Sequence, residues 1–238
     1  MTDPTLPSLE GRIALVTGAS RGIGRAVAEA FAAQGAQLIL LARTVGALEE
    51  VDDHVRSLGA PQPLLVPHDL RKLDELDHLG ASLHQRYGRL DILVANAGEL
   101  GALSPIAHTQ PKVWEDVMTI NLTANYRLIR SLDPLLRQSQ AARAIFVSDP
   151  IADHPQAYWG AYAAAKSALQ TLVMCYAAES AKSSVSANLV CPSPCDTTLR
   201  NKAFPGEDPG GLKKPSELTE LFLRLASTEC HENGKIFS

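Results

Sequence analysis

The stretch IALVTGASRGIGRAVAEAFAAQG, residues 13–35, decides the fold. Residues 13–17 form a short apolar, partly β-branched run that reads as a buried strand, and the amphipathic segment 23–34 reads as a helix. Between them lie Gly18, Gly22 and Gly24, interleaved with Ser20, Arg21 and Ile23. A glycine turn at that place lets the backbone approach a pyrophosphate, and the following helix start offers unpaired N–H groups and a positive dipole end. The G-x-x-x-G-x-G spacing is one residue longer than the usual dinucleotide fingerprint. A turn built only for chain reversal is the alternative, and the strand before and helix after it favour the nucleotide.

Outward from that unit the same alternation continues. Further strands are expected at 38–41, 63–66, 92–95, 144–147, 185–190 and 235–237, and further helices at 45–58, 73–86, 112–136, 159–181 and 217–226. Gly35, Gly59 and Gly88 follow three of the helices, where a left-handed residue ends a helix. This pattern predicts an α/β fold: a doubly wound, seven-stranded parallel sheet with helices on both faces, built by residues 1–238 as one domain. Residues 192–215, rich in Pro, Gly and Lys and without a clear period, are expected to form a mobile substrate loop.

Composition narrows the function. The 22 Lys and Arg against 26 Asp and Glu give a net charge of −4 with no basic stripe, which disfavours nucleic acid and anionic membranes as partners. The longest apolar run, 172–178, is far short of the ~18 residues that span a bilayer. The polar N-terminus MTDPTLPSLEGR lacks a charged-then-apolar leader, so a cytoplasmic location is expected, and no C-terminal extension beyond the last expected strand is expected to close the site. Cys175, Cys191, Cys195 and Cys230 are too few for a disulfide framework and lack zinc-site spacing, so no metal is expected.

TGASRGIG at 17–24, NAG at 96–98, Asn121, and Tyr162 with Lys166 in YAAAK together resemble the short-chain dehydrogenase/reductases over nearly the whole chain. The resemblance implies a single-domain Rossmann fold with strand order 3-2-1-4-5-6-7, a nicotinamide cofactor, a small carbonyl or alcohol substrate, and a homodimer or homotetramer built on the two long helices. It implies that Tyr162 passes a proton to or from the substrate oxygen, that Lys166 holds the nicotinamide ribose, and that Asn121 kinks its helix and relays through water to Lys166. It also implies that Asp69, with Leu70, meets the adenine, that Asn96 and Gly98 approach the cofactor, and that Pro192 and Thr197 line the nicotinamide. Capping roles for Asp69 and Thr197, and service to the glycine loop for Asn96, are the competing readings. Arg43 stands where an acid would favour NAD(H), and Arg21 is a second cation nearby, so NADP(H) is favoured over NAD(H). A neighbouring ammonium is expected to lower the Tyr162 pKa.

Two positions depart from the pattern. The family's serine thirteen residues before the tyrosine is Asp149 here, with Ser148 able to substitute only if the strand end turns or bulges. An ionised aspartate accepts hydrogen bonds but cannot donate one to a carbonyl. The family's Pro-Gly after the sixth strand is Pro192-Ser193, followed by Pro194, which suggests a reshaped pocket. The expectation is therefore an NADP(H)-dependent oxidoreductase acting through Tyr162, Lys166, Asn121 and Asp149 or Ser148. The alternative is a dinucleotide-binding protein with little or no dehydrogenase activity. Leu199, Phe204 and Leu212, with Arg200, Lys202, Lys213 and Lys214, could cover an apolar substrate bearing an anionic group, and His154 could enter the pocket; solvent-facing cations and a solvated loop histidine are the competing readings.

Overall fold

Seven strands form one sheet in the computed structural model, which describes residues 6–238; residues 1–5 of the polar N-terminal stretch lie outside the described residues. The strands are β1 (Ile13–Thr17), β2 (Gln37–Ala42), β3 (Leu64–Pro67), β4 (Ile92–Ala95), β5 (Ala142–Val147), β6 (Val185–Val190) and β7 (Ile236–Phe237). Their order is β3-β2-β1-β4-β5-β6-β7 and every neighbouring pair is parallel. The connections are α1 (Gly22–Ala33), α2 (Val45–Ser57), α3 (Leu73–Tyr87), α4 (Pro111–Met118), α5 (Ala124–Leu136), α6 (Gly160–Ser180), α7 (Thr198–Ala203) and α8 (Thr219–Ala226).

Strands covered on both faces need apolar residues at successive positions, and β1, β4 and β5 are buried throughout. Alternate residues serve opposite layers. Val16, Leu40 and Val94 pack with Phe31 of α1, Val51 of α2 and Phe222 of α8. Leu15, Ile39 and Leu93 pack with Leu83 of α3, Leu132 of α5 and Leu169 of α6. Gly35, Gly59 and Gly88 follow α1, α2 and α3 with positive φ of 86, 81 and 72°.

Two expectations from periodicity are corrected. The helix expected at 112–136 is α4 and α5 joined by a π-helical turn, Thr119–Thr123. A single inserted residue shifts the apolar stripe too little for a sequence period to register. The 192–215 segment, expected to lack regular structure, contains α7, a 3-10 turn at Pro209–Gly211 and a bridge between Cys195 and Lys213. Its apolar set, Leu199, Ala203 and Phe204, is too short to show a period, yet it packs on a third cluster around Leu100, Ile151 and Tyr162.

The chain crosses from one half of the sheet to the other between β1 and β4. Loops leaving the carboxyl ends of those two strands diverge, and the crevice between them is where open α/β sheets bind ligands.

Candidate active site

At that crevice lies a cavity of about 570 Å³, bounded by the start of α1, the loops after the strands, the first turns of α6, and α7. Of the catalytic and cofactor-binding residues nominated from sequence, all but Gly24 and Asn121 line it, whereas Leu212, Lys213 and Lys214 of the expected substrate loop do not. Gly24 and Asn121 stand behind the wall and shape it.

At the end near α1, packing sets the loop geometry. A Cβ on Gly24 would lie 2.4 Å from both the Asn96 Nδ2 and the Gly18 carbonyl oxygen. Asn96 Nδ2 donates to the carbonyls of Thr17 at 3.0 Å and Gly18 at 3.4 Å, so Asn96 does brace the glycine loop. Thr17 Oγ1 accepts from the backbone N–H groups of Asn96 and Ala97, both at 3.0 Å, which ties the end of β4 to β1. Gly22 turns with φ 56°, and a Cβ there would lie 3.4 Å from the Thr197 methyl. The start of α1 has no side-chain cap and no acid in its first turn, so its leading N–H groups are free for an anion. This fits a pyrophosphate.

Beyond the loop, Arg21 and Arg43 are exposed at the cavity rim, and among the described residues neither is in an ion pair. Asp69 accepts from the Arg71 backbone N–H at 3.0 Å and pairs with the Arg71 guanidinium at 2.7 Å, while Leu70 is buried beside it. Those Arg71 hydrogen bonds hold the Asp69 carboxyl down at about 2. Asp69 therefore does cap the turn before α3 while still bordering the cavity.

The opposite end assembles the polar side chains. Asn121 is fully buried in the π turn: its Nδ2 donates to the carbonyls of Val117 and Glu99, both at 2.8 Å, and its Oδ1 accepts from Glu99 N at 3.3 Å. Asn125 Nδ2 in turn satisfies the Asn121 carbonyl at 2.8 Å. A Cβ on Gly98 would sit 3.1 Å from Asn121 Oδ1 and 3.8 Å from Lys166 Nζ, so Gly98 is what lets these two groups approach the same strand end.

Tyr162 and Lys166, one turn apart on α6, both face inward and are 4 and 3% exposed. Lys166 Nζ donates to the Val147 carbonyl at 2.8 Å and lies 5.6 Å from the Tyr162 ring centroid. The Tyr162 hydroxyl faces Asp149 Oδ2 at 3.3 Å. Burial, reinforced by Asp149, pushes the Tyr162 pKa well above its ordinary value, which reverses the lowering expected from Lys166. The ammonium sits over the ring and serves a backbone carbonyl, whereas the carboxylate meets the hydroxyl directly. Burial also depresses Lys166 to about 8, with Asp149 opposing that shift.

Asp149 continues β5 in extended conformation, φ −153° and ψ 142°, so no bulge interrupts the alternation and Asp149, not Ser148, faces Tyr162. Ser148 is buried, and its backbone N–H donates to the Val190 carbonyl at 2.8 Å. Asp149 Oδ1 accepts from Ile151 N at 2.9 Å and caps the short turn Pro150–Ala152.

The remaining wall was legible only in part: Trp159 and Glu99 were not nominated from sequence. Trp159 lies 6.0 Å from Tyr162 and 5.6 Å from Phe204, ring centroid to centroid. It follows Tyr158, whose φ of 75° makes it the only non-glycine with positive φ among the described residues. Lys202 of α7 pairs with Glu99 at 3.0 Å across the cavity mouth. Arg200 stacks 3.8 Å from the Phe204 ring centroid and binds Glu207 through two hydrogen bonds, of 2.7 and 2.6 Å. Of the four cations suggested for an anionic substrate, Arg200 and Lys202 are thus already paired, and Lys213 and Lys214 do not line the cavity. Thr197 lines the cavity and also caps α7 through Arg200 N at 3.2 Å; Pro192 borders the cavity as expected, and His154 does so as an exposed residue. Glu99 adjoins the NAG motif, but a contact reaching to position 202 leaves no sequence signal.

No helix is long and apolar enough to cross a membrane among the described residues. A family model described as short chain dehydrogenase matches residues 12–208. The uncharacterized oxidoreductase YciK of Escherichia coli K12 is 38% identical, covering 93% of this chain and 88% of YciK. The 3-oxoacyl-acyl-carrier-protein reductase FabG of Vibrio cholerae is 30% identical, covering 97% of this chain and 99% of FabG. A short chain dehydrogenase of Escherichia coli CFT073, solved in complex with NADPH, superposes with a TM-score of 0.92 at 36% identity and covers 96% of each chain.

Proposed function

The chain belongs to the short-chain dehydrogenase/reductase family of oxidoreductases, and from that premise we propose that it binds NADP(H) in preference to NAD(H) and exchanges hydride with a small carbonyl or alcohol substrate. The convergence of Tyr162 and Lys166 on a cavity that begins at the uncapped start of α1 carries this reading. In it, Gly18, Ser20, Arg21, Gly22 and Ile23 cradle the pyrophosphate, Asp69 and Leu70 border the adenine, and Gly98, Pro192 and Thr197 border the nicotinamide. The relative solved with NADPH supports the phosphorylated cofactor. So do Arg21 and Arg43, which make no ion pair among the described residues, because guanidinium forks match a 2′-phosphate.

The bound cofactor would supply or accept the hydride. Tyr162 holds the proton for the substrate oxygen, and its burial keeps it a phenol, which suits donation. Lys166, fixed by the Val147 carbonyl, positions the ribose, and Asn121 keeps the Glu99 backbone and the π turn in place behind it. Residues 192–215, with α7, form the substrate-facing part of the domain. The protein would act as a homodimer or homotetramer in the cytoplasm: exposed Tyr126 and Met174 on α5 and α6 favour a covered helix face, and four free thiols suit a reducing compartment.

The test is fluorescence titration of NADPH and NADH, followed by single-turnover NADPH oxidation with ketones, quinones and 3-oxoacyl thioesters. The reading expects NADPH to bind about tenfold or more tightly than NADH, a preference lost in an Arg21→Ala/Arg43→Ala double variant. Equal affinities unchanged in that variant would refute it.

The Tyr162–Asp149 contact also favours a second reading, a dinucleotide-binding protein without turnover. Inactivity across the panel, with activity appearing in Asp149→Ser, would select that reading.

A further inference from the structure

We infer that Asp149 adapts this site to a C=N substrate, a protonated imine that donates its N–H to the carboxylate, in place of a ketone. The inference rests on the nicotinamide-dependent hydride transfer proposed above and changes the group that receives it. Three observations carry it.

Asp149 acts only as an acceptor. Its Oδ1 takes the Ile151 N–H at 2.9 Å and its Oδ2 faces the Tyr162 hydroxyl at 3.3 Å. A carboxylate offers about four lone-pair sites, so two remain for a ligand in the cavity that Asp149 lines. The cap to Ile151 also prevents the side chain from swinging away.

Among the described residues no cation pairs with the carboxylate at contact distance, and Lys166 and Arg200 act on it only from farther away. Lys166 donates to Val147, Arg200 is paired with Glu207, and Asp149 makes no ion pair among the described residues. A ketone oxygen brought here meets an acceptor, and the alkoxide that forms from it meets a like charge. An iminium brings both a donor and a positive charge.

The aromatic wall suits a cation as well. Trp159 lies 5.6 Å from Phe204 and 6.0 Å from Tyr162, and while Arg200 stacks on Phe204 and Lys166 lies over Tyr162, the Trp159 ring borders the cavity as a face that attracts cations.

The step balances simply. A hydride from a dihydronicotinamide lands on the imine carbon as the C=N π pair withdraws to nitrogen. Nitrogen keeps its proton, a neutral amine forms, and the nicotinamide leaves oxidised. No proton need pass through Tyr162, whose hydroxyl orients Asp149 instead.

The binding test uses protein without cofactor at neutral pH: calorimetry of tetrahydroisoquinolinium against the neutral 1-tetralol. Kinetics then compare NADPH oxidation by 3,4-dihydroisoquinoline and by 1-tetralone. Asp149→Asn and Asp149→Ser both retain an N-cap acceptor, and thermal melts check that they fold. The wild type is expected to bind the cation about tenfold or more tightly than the alcohol and to turn over the imine faster than the ketone. Asp149→Asn should erase the binding preference, and Asp149→Ser should shift turnover toward the ketone. A cation preference that is missing, or that survives in Asp149→Asn, overturns the inference. Wild-type turnover of the ketone but not the imine overturns it while leaving the NADP(H) oxidoreductase standing. Failure to bind NADPH brings down the underlying reading itself.

Discussion

At the scale of single residues, one substituted side chain changes the chemistry around it. Lys166 is 3% exposed, and burial lowers its pKa to about 8 from an ordinary 10.5. Between those values the unfolded chain binds more protons at this position than the folded one, so unfolding free energy rises with pH across that window. Tyr162 acts in the opposite direction above its ordinary value of 10, because the folded protein keeps it protonated. The protein without cofactor should therefore gain stability relative to Lys166→Met by on the order of 2 kcal/mol between pH 8 and pH 10. Urea denaturation of both proteins at several pH values measures this; parallel profiles would contradict it. The Tyr and Lys positions were legible in YAAAK. The direction of the tyrosine shift was not, since it depends on whether the hydroxyl meets a carboxylate or an ammonium.

At the scale of elements, α7 links two parts of the cavity. Lys202 reaches Glu99, and Glu99 is itself held through its backbone by Asn121 in the π turn. The ion pair is half exposed, so its contribution to global stability is small, below about 1 kcal/mol. Its effect should be local. Lys202→Ala is expected to leave Tm within about 2 °C while raising hydrogen exchange across α7 severalfold. Mass-resolved exchange of residues 198–203 reads this directly, and unchanged protection there would show that the Leu199, Ala203 and Phe204 packing alone holds α7. The strands and longer helices were readable because each carries several buried positions at one period. The π turn and α7 were not, because one extra residue and six residues, respectively, leave no period to detect.

At the scale of the molecule, a second polar network closes the sheet at the end away from the cavity. Arg12, 8% exposed, donates to the carbonyls of Ala226, Asp91 and Ala141. Asp91 accepts from Ile13 N at 2.9 Å and Ser139 Oγ at 2.6 Å. Arg143 reaches Ser227 and Thr228 at 3.0 and 2.9 Å. Together they join the starts of β1, β4 and β5 to the end of α8. Arg12→Met fills much of the same volume but leaves buried carbonyls unpaired, so a loss of about 3 kcal/mol is expected, roughly 6–12 °C in Tm. Thermal unfolding tests it, and a shift under about 2 °C would mean that water replaces the guanidinium.

The sequence by itself determined the seven-stranded parallel sheet, its strand order through the family resemblance, the glycine turn and the Tyr162–Lys166 pair. Those features are local, written in a strand period, a helix period or a short motif. Only the tertiary structure decided that Asp149 rather than Ser148 meets Tyr162, that Lys202 closes on Glu99, and that Trp159 joins Phe204 in the cavity wall. Each depends on side chains from distant elements meeting at one place, and a contact between residues as far apart as 99 and 202 has no periodic trace in the chain.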